Sequence, residues 1–314
     1  GDFVGQGSYS CSGMEDTCAI YAGWAIGPNE WCEPPNVGAP LFFGLTGRIT
    51  IKIEAHYDNA LGTAQQDQSG MRLSLTPTRR THESAFTILG MDYFDRQFVI
   101  PPGEPEYTLT NICPSAATTR LRHAIWAYAW NPHMHLYGKK LVTEHYRCGQ
   151  KIGELGRIED YEFDNQQSYL FDKPIKILPG DALYTTCTYD TTGLTEPVVG
   201  GEETTDEMCQ NFLTFFPTVG TVYNPSLFTM CASYNEGLNP DLFGGYDRRY
   251  PFTIVDTSGS TIVYRYRQDP EQNRALCCYT NSCERNFLSA AGKPCVENED
   301  CQSGLTCQDL VCVN

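Results

Sequence analysis

Three side chains in the sequence have the types and spacing of metal ligands. His133 and His135 lie in Asn-Pro-His-Met-His-Leu-Tyr-Gly, and Met208 lies in Asp-Glu-Met-Cys. On a β-strand, residues two apart point to the same face, so both imidazoles can reach one ion. Two imidazoles and a thioether form a soft, mixed donor set that favours copper over zinc or magnesium. Each half of the pattern is weak alone, because exposed strand histidines and core methionines are common.

Short strands must position these side chains. In Arg48–His56 the apolar residues Ile49, Ile51 and Ile53 alternate with polar ones, which predicts a half-buried strand. Turn residues separate further runs of this kind, namely Gly70–Leu75, Phe86–Phe94, Arg96–Ile100, His123–Trp130, Lys139–Tyr146, Ala182–Tyr189 and Phe212–Phe216. The sequence therefore predicts an all-β fold built as sandwiches, with loops that carry the function.

Composition and charge exclude some partners. The 314 residues carry a net charge of −16, so we expect no nucleic-acid partner, because the field of the protein repels polyanions. No apolar stretch approaches the roughly 20 residues of a membrane helix, so we expect no membrane span. The 15 cysteines indicate an oxidising compartment, either extracellular or the lumen of a secretory vesicle.

Seven of the cysteines lie in the last 38 residues, which marks the clearest domain boundary. From Cys295 to Cys312 the spacing is Cys-x5-Cys-x5-Cys-x4-Cys, which lacks the close pairs of zinc sites. We expect a small disulfide-rich module here, since few residues could form a core. A solvated tail and a binding role are equally compatible with it.

The joint pattern of His-Met-His-Leu-x-Gly and Gly-Gly…Asp-Glu-Met-Cys resembles the copper type II, ascorbate-dependent monooxygenases. This is the group of dopamine β-monooxygenase and peptidylglycine α-hydroxylating monooxygenase. The matching stretches follow the family order and are Tyr21–Ala25, Ile53–Asn59, Gly70–Leu75, Ile100–Gly103, Pro132–Lys139, Pro179–Tyr189 and Gly200–Pro217.

The resemblance implies jelly-roll-like β-sandwich domains with two copper centres across a cleft, and ascorbate as reductant. His133, His135 and Met208 match the centre that binds dioxygen, whereas His56 matches one of three histidines of the electron-transfer centre. The family bridges imply disulfides between Cys113 and Cys231 and between Cys187 and Cys209. The implied domains are 1–61 (part of a first sandwich), 62–235 (the second sandwich), 236–275 (a β-rich linker or hairpin) and 276–314 (the Cys-rich module).

The sequence departs from the family at two places. None of its six histidines precedes His56, where the family has a His-His pair, so upstream residues or a partner chain would have to complete residues 1–61. The peptide-amidating members have Arg and Tyr at the positions of Asn131 and Phe212. Without that guanidinium a substrate carboxylate loses its anchor, so a peptidyl-glycine substrate is disfavoured.

The remaining candidate residues have structural interpretations. His123 lies on an apolar run and is expected in or beside the core, whereas His82 and His145 are expected in solvated turns or strands. Asp206 and Glu207 could orient a ligand histidine, but turn formation is favoured.

Two functions are compatible with this sequence. The first is a secreted enzyme that hydroxylates a C–H bond of a small-molecule substrate with copper, dioxygen and ascorbate. The second is a catalytically incomplete extracellular structural protein that reuses the fold and self-associates.

Overall fold

The computed structural model describes residues 22–27, 30–40, 62–91, 98–113, 115–118, 121, 123–148, 150–218 and 230–233. It also describes residues 53, 55, 57 and 59, and the short segments 253–255, 261–263, 306–308 and 311–313. His56 and most of the predicted 236–275 and 276–314 segments lie outside the described residues, and the predicted domain boundaries stay predictions.

Strands dominate these residues, with a single helical turn, α1 (Ser115–Thr118). In chain order the strands are β1 (Val37–Gly38), β2 (His82–Glu83), β3 (Ala85–Met91), β4 (Val99–Ile100), β5 (Tyr107–Cys113), β6 (Ile125–His133), β7 (Gly138–Arg147), β8 (Gln150–Ile158), β9 (Tyr169–Ile177), β10 (Ala182–Tyr189), β11 (Val198–Val199), β12 (Cys209–Phe216), β13 (Met230–Ser233), β14 (Thr253–Val255), β15 (Thr261–Val263), β16 (Thr306–Gln308) and β17 (Val311–Val313). The predicted all-β class is confirmed.

Two sheets form the sandwich. One has four strands in the order β5-β10-β7-β8, and the other has five in the order β13-β3-β12-β6-β9. Neighbours in both sheets are antiparallel except β13, which runs parallel to β3. Alternate residues of both sheets face inward and form one apolar core, in which Leu89, Leu141, Leu155 and Leu213 are almost fully buried.

A second, smaller core covers the outer face of the five-stranded sheet. Trp126, Tyr128 and Phe216 pack there against Val37 of β1. Glu33 of the same segment accepts a hydrogen bond from the Tyr128 hydroxyl at 2.5 Å. The segment 30–38 therefore lies against the sandwich, and both faces of this sheet are partly covered.

Some strand predictions were wrong. Gly70–Leu75 forms no strand, and its side chains are exposed. The strand-like composition of this run is therefore not accompanied by burial or by pairing with another strand. The strands predicted from the sequence do not include β5, β8 or β9. Pro174 interrupts the alternation of β9, and this strand tolerates a proline because it lies at the edge of its sheet. No helix in the described part of the chain is long and apolar enough to cross a membrane.

Candidate metal centre

His133 is the last residue of β6, and Met134 and His135 follow it directly. Met134 is fully buried in the core, and its backbone is fixed by Tyr161, whose hydroxyl accepts from the Met134 N–H at 3.1 Å and donates to the Met134 carbonyl at 2.6 Å. The rings of His133 and His135 lie close together, with centroids 5.2 Å apart and planes at 81°. The two imidazoles therefore meet at the end of β6.

The pairing of β12 with β6 brings the segment that follows Met208 beside His133. Gln210 lies directly opposite His133 in this antiparallel pair. Extending the side-chain alternation of β12 back by two residues puts Met208 on the face of Gln210 and His133. Met208 also shares a cluster with Phe212, whose ring centroid lies 6.1 Å from that of His133. Met208 is 7% exposed and packs on Ile88 of β3.

Hydrogen bonds fix the orientation of both rings. His133 Nδ1 lies 2.6 Å from Gln166 Oε1, and His135 Nδ1 lies 3.0 Å from the Asp206 carbonyl oxygen. Because both partners are acceptors, each Nδ1 carries the proton, which leaves Nε2 of each ring as the nitrogen that can bind a metal. Burial lowers the pKa of His133 to about 4, so the ring is neutral at neutral pH. Burial also lowers the pKa of His135.

A buried carboxylate joins the histidine turn to the methionine strand. Glu207 is fully buried and accepts from the backbone N–H groups of His135 at 2.8 Å, Tyr137 at 2.6 Å and Met208 at 3.2 Å. Burial raises the pKa of Glu207 to about 7, against the backbone donors, which favour the ionised form. Its two oxygens therefore fix the chain on both sides of the ligand set.

The backbone around Met208 is held from the core side as well. Cys209 forms a disulfide with Cys187 of the facing sheet, and the Tyr189 hydroxyl donates to the Met208 carbonyl at 2.8 Å. Cys113 and Cys231 form another disulfide. Both pairings are those expected from the family resemblance.

The surface beside His133 is apolar. The ring of Phe212 lies 6.1 Å from the His133 ring and 6.4 Å from the ring of Phe86. Asn131 lies opposite Phe212 in the strand register, and its side-chain amide donates to the Ser168 hydroxyl at 3.1 Å. The two positions that depart from the peptide-amidating pattern therefore lie next to each other at this site.

The other described histidines lie away from this centre. His82 is buried and stacks on Phe216, with centroids 4.9 Å apart, and His145 is buried with Nε2 2.7 Å from Asp181. The prediction that these two are solvated was wrong, because each has a specific partner in the interior. His123 is half-buried, and its Nδ1 lies 3.0 Å from the Ala124 carbonyl oxygen.

The donor chemistry fits copper. Among the residues that the structure describes, no three His, Cys, Asp or Glu side chains gather as a metal cluster. A centre here therefore depends on the thioether of Met208, and the soft donor set of two imidazoles and a thioether suits Cu(I).

Comparisons with known proteins agree with this chemistry. Residues 83–238 match the family model described as copper type II ascorbate-dependent monooxygenase, C-terminal domain. The chain is 32% identical to MOXD1 homolog 1 of Drosophila melanogaster over 65% of its length, and 31% identical to dopamine beta-hydroxylase of Rattus norvegicus over 86% of its length. It is 34% identical to tyramine beta-hydroxylase of Caenorhabditis briggsae over 63% of its length.

The chain belongs to the copper type II ascorbate-dependent monooxygenase family. It spans 29%, 34% and 42% of the length of the Drosophila, Caenorhabditis and rat relatives, respectively. Family membership supports copper and ascorbate as cofactor and reductant, as expected from the sequence.

Sequence reasoning misses one residue of the candidate centre, Gln166, and gives another, Glu207, too little weight. Gln166 lies in the loop before β9, far from the His-Met-His motif, and no local pattern marks it as a partner of His133. Glu207 was assigned mainly to turn formation, whereas its carboxylate contacts both ligand segments. The sequence signal for Glu207 is its position directly before Met208. A carboxylate beside a buried residue needs several hydrogen-bond donors.

Proposed function

We propose that the chain is a secreted monooxygenase that binds one copper through Nε2 of His133, Nε2 of His135 and the Met208 thioether. The observation that carries the proposal is the Nδ1 hydrogen bonding of both imidazoles, which leaves Nε2 of each ring as the nitrogen that can bind a metal. Copper supplies one-electron redox and dioxygen chemistry when bound, with ascorbate as the reductant. The two disulfides support secretion, because such bonds persist in oxidising compartments.

The protein's own residues orient and shield this centre. Gln166 and the Asp206 carbonyl fix the ring tautomers, and Glu207 holds the two ligand segments together. Met208, Ile88 and the two phenylalanines Phe86 and Phe212 form an apolar wall. This wall favours an apolar or aromatic substrate group and limits water near the reacting C–H bond.

The substrate class follows from the side chains at and beside the apolar wall. Phe212 presents no hydroxyl, and the Asn131 amide donates to Ser168, so neither position supplies a cation for a substrate carboxylate. Two relatives are named for hydroxylation of tyramine and dopamine, which are aromatic amines. We therefore propose a small aromatic substrate and not a peptide with a C-terminal carboxylate.

The test is copper stoichiometry and oxygen consumption of the full chain. Wild type should bind Cu(I) under anaerobic titration, and His133→Ala and Met208→Leu should weaken that binding. Met134→Leu and His123→Ala are matched controls, because Met134 faces the core and His123 lies outside the centre. Wild-type protein that binds no copper would overturn the proposal, as would copper-loaded protein that consumes no oxygen with ascorbate and aromatic amines or phenols.

A second function is favoured by the placement of the other histidines. His82, His123 and His145 have partners distant from the centre, so the described residues offer no second histidine cluster. The alternative is an extracellular assembly protein that binds copper without turnover and self-associates. Light-scattering mass over a wide concentration range separates the two, since only the assembly protein requires a mass that grows with concentration.

A further inference from the structure

The interior of the sandwich contains a polar layer, formed by Asn111, Thr143, Thr185 and Asn211. All four are 1% exposed or less. Thr185 of β10 lies directly opposite Asn111 of β5 on one side and Thr143 of β7 on the other. Asn211 enters the layer from β12 of the facing sheet. Four polar side chains therefore meet at one level of an otherwise apolar core.

Hydrogen bonds connect three of these side chains. The Asn211 side-chain N–H group donates to Thr143 Oγ1 at 2.9 Å and to the Leu155 carbonyl at 2.9 Å. The hydroxyls of Thr143 and Thr185 lie 3.0 Å apart. Because the Leu155 carbonyl can only accept, the nitrogen of the Asn211 amide is assigned unambiguously, and its oxygen faces elsewhere.

Three polar atoms of the layer have no hydrogen-bond partner among the residues described. They are Asn111 Nδ2, Asn111 Oδ1 and Asn211 Oδ1. One of the two threonine hydroxyl hydrogens is also left over, since the pair shares a single hydrogen bond. Buried polar groups in folded proteins almost always have partners, because an unpartnered group loses its hydration and gains nothing in return.

The surroundings of the layer exclude bulk water and ions. On one side lies the Cys187–Cys209 disulfide, and on the other side lies Leu183 beside Cys113. None of the four side chains is charged, and both donors and acceptors are left over. A neutral molecule that both donates and accepts satisfies this set, and at this depth it must be small.

We propose that the sandwich binds ordered water between its two sheets, in a site that bridges Asn111 to Asn211. Water donates to the two amide oxygens and accepts from Asn111 Nδ2 and the free threonine hydroxyl. Its bonds join β5 to β12, the strand that continues from Met208. The proposal is independent of copper and of the proposed enzymatic function.

The first test is a crystal structure of the full chain at a resolution that shows ordered water. Density within hydrogen-bond distance of both Asn111 and Asn211 is expected. A map with no such peak, or one in which the Asn111 amide bonds directly to Thr185, would overturn the proposal.

The second test is the sign of one substitution. If water bridges the layer, Asn111→Leu removes its main partner and lowers the thermal unfolding midpoint by about 5 °C. If the layer is dry, the same change removes two unpartnered polar atoms and raises the midpoint. Asn165→Leu is the control, because Asn165 is exposed and should leave the midpoint unchanged.

Discussion

Replacing Glu207 with glutamine should weaken both the fold and copper binding. The carboxylate accepts three backbone N–H groups, those of His135, Tyr137 and Met208. In the Glu207→Gln variant the side-chain amide has one acceptor oxygen, so its nitrogen must face at least one of these donors. Hydrogen bonds to a charged group contribute about 1.5–3 kcal/mol each, and a buried donor without an acceptor adds a similar penalty. We therefore expect a loss of about 2–4 kcal/mol in the free energy of unfolding.

The assay compares thermal unfolding and Cu(I) affinity at pH 8, above the pKa of about 7 of Glu207, so that the wild-type carboxylate is ionised. The expected loss lowers the unfolding midpoint by about 5–15 °C. Loss of such a supporting contact weakens metal affinity about 10–100-fold. A competition titration with a Cu(I) chelator measures this change.

Glu202→Gln is the matched control, because it removes the same charge from an exposed position of the same loop. It should leave both quantities unchanged. If Glu207→Gln has the unfolding midpoint and the Cu(I) affinity of wild type, the carboxylate does not hold the segments of His135 and Met208 together.

The remaining predictions concern three other positions. Gln166→Leu removes the acceptor of the His133 Nδ1–H and should weaken Cu(I) affinity about 10-fold by competition titration, whereas Gln166→Glu keeps an acceptor and should weaken it less. Asp181→Asn removes the buried charged partner of His145 and Arg147 and should lower the free energy of unfolding by about 3–5 kcal/mol in urea titrations. Gly90→Ala places a Cβ against the Cys209 carbonyl oxygen at a φ of 143°, so the unfolding midpoint and the copper content should both fall.

Asp181 also gives a pH dependence with a definite sign. Burial works to raise its pKa, but Arg147 and His145 outweigh burial and hold the pKa below the ordinary 3.8. The unfolded state therefore binds the proton more readily, and this contribution to stability is lost as pH falls below about 4. Urea titrations from pH 6 down to pH 3 should show a smaller acid loss for Asp181→Asn than for wild type. Equal losses would mean that Asp181 is not a source of acid sensitivity.

The sequence predicts the fold where local pattern and burial coincide. The runs around β6, β7 and β10 were recognised because β-branched and aromatic residues concentrate there and the strands are buried. Gly70–Leu75 has a similar pattern, but nothing in the sequence shows whether a run finds a pairing partner. Edge strands such as β9 carry charges and a proline, which hide them from pattern analysis.

In the candidate centre, too, local sequence pattern predicts some residues, and tertiary packing determines the others. His133 and His135 are linked by strand alternation, which is local, and Met208 was found through its motif. Gln166 could not be found, because its contact with His133 depends on how the loop before β9 returns to the end of β6. The buried partners of His82 and His145 were likewise invisible, since both arise from packing of residues far apart in sequence.

The centre and the core depend on one strand register. If β12 slipped by one residue against β6, Met208 would turn inward and Cys209 would turn towards the histidines, because side chains alternate along a strand. The same slip would break the Cys187–Cys209 disulfide and remove Asn211 from the Leu155 carbonyl. The disulfide and the buried amide therefore select one pairing, so the features that stabilise the core also keep Met208 on the face of the sheet that carries His133.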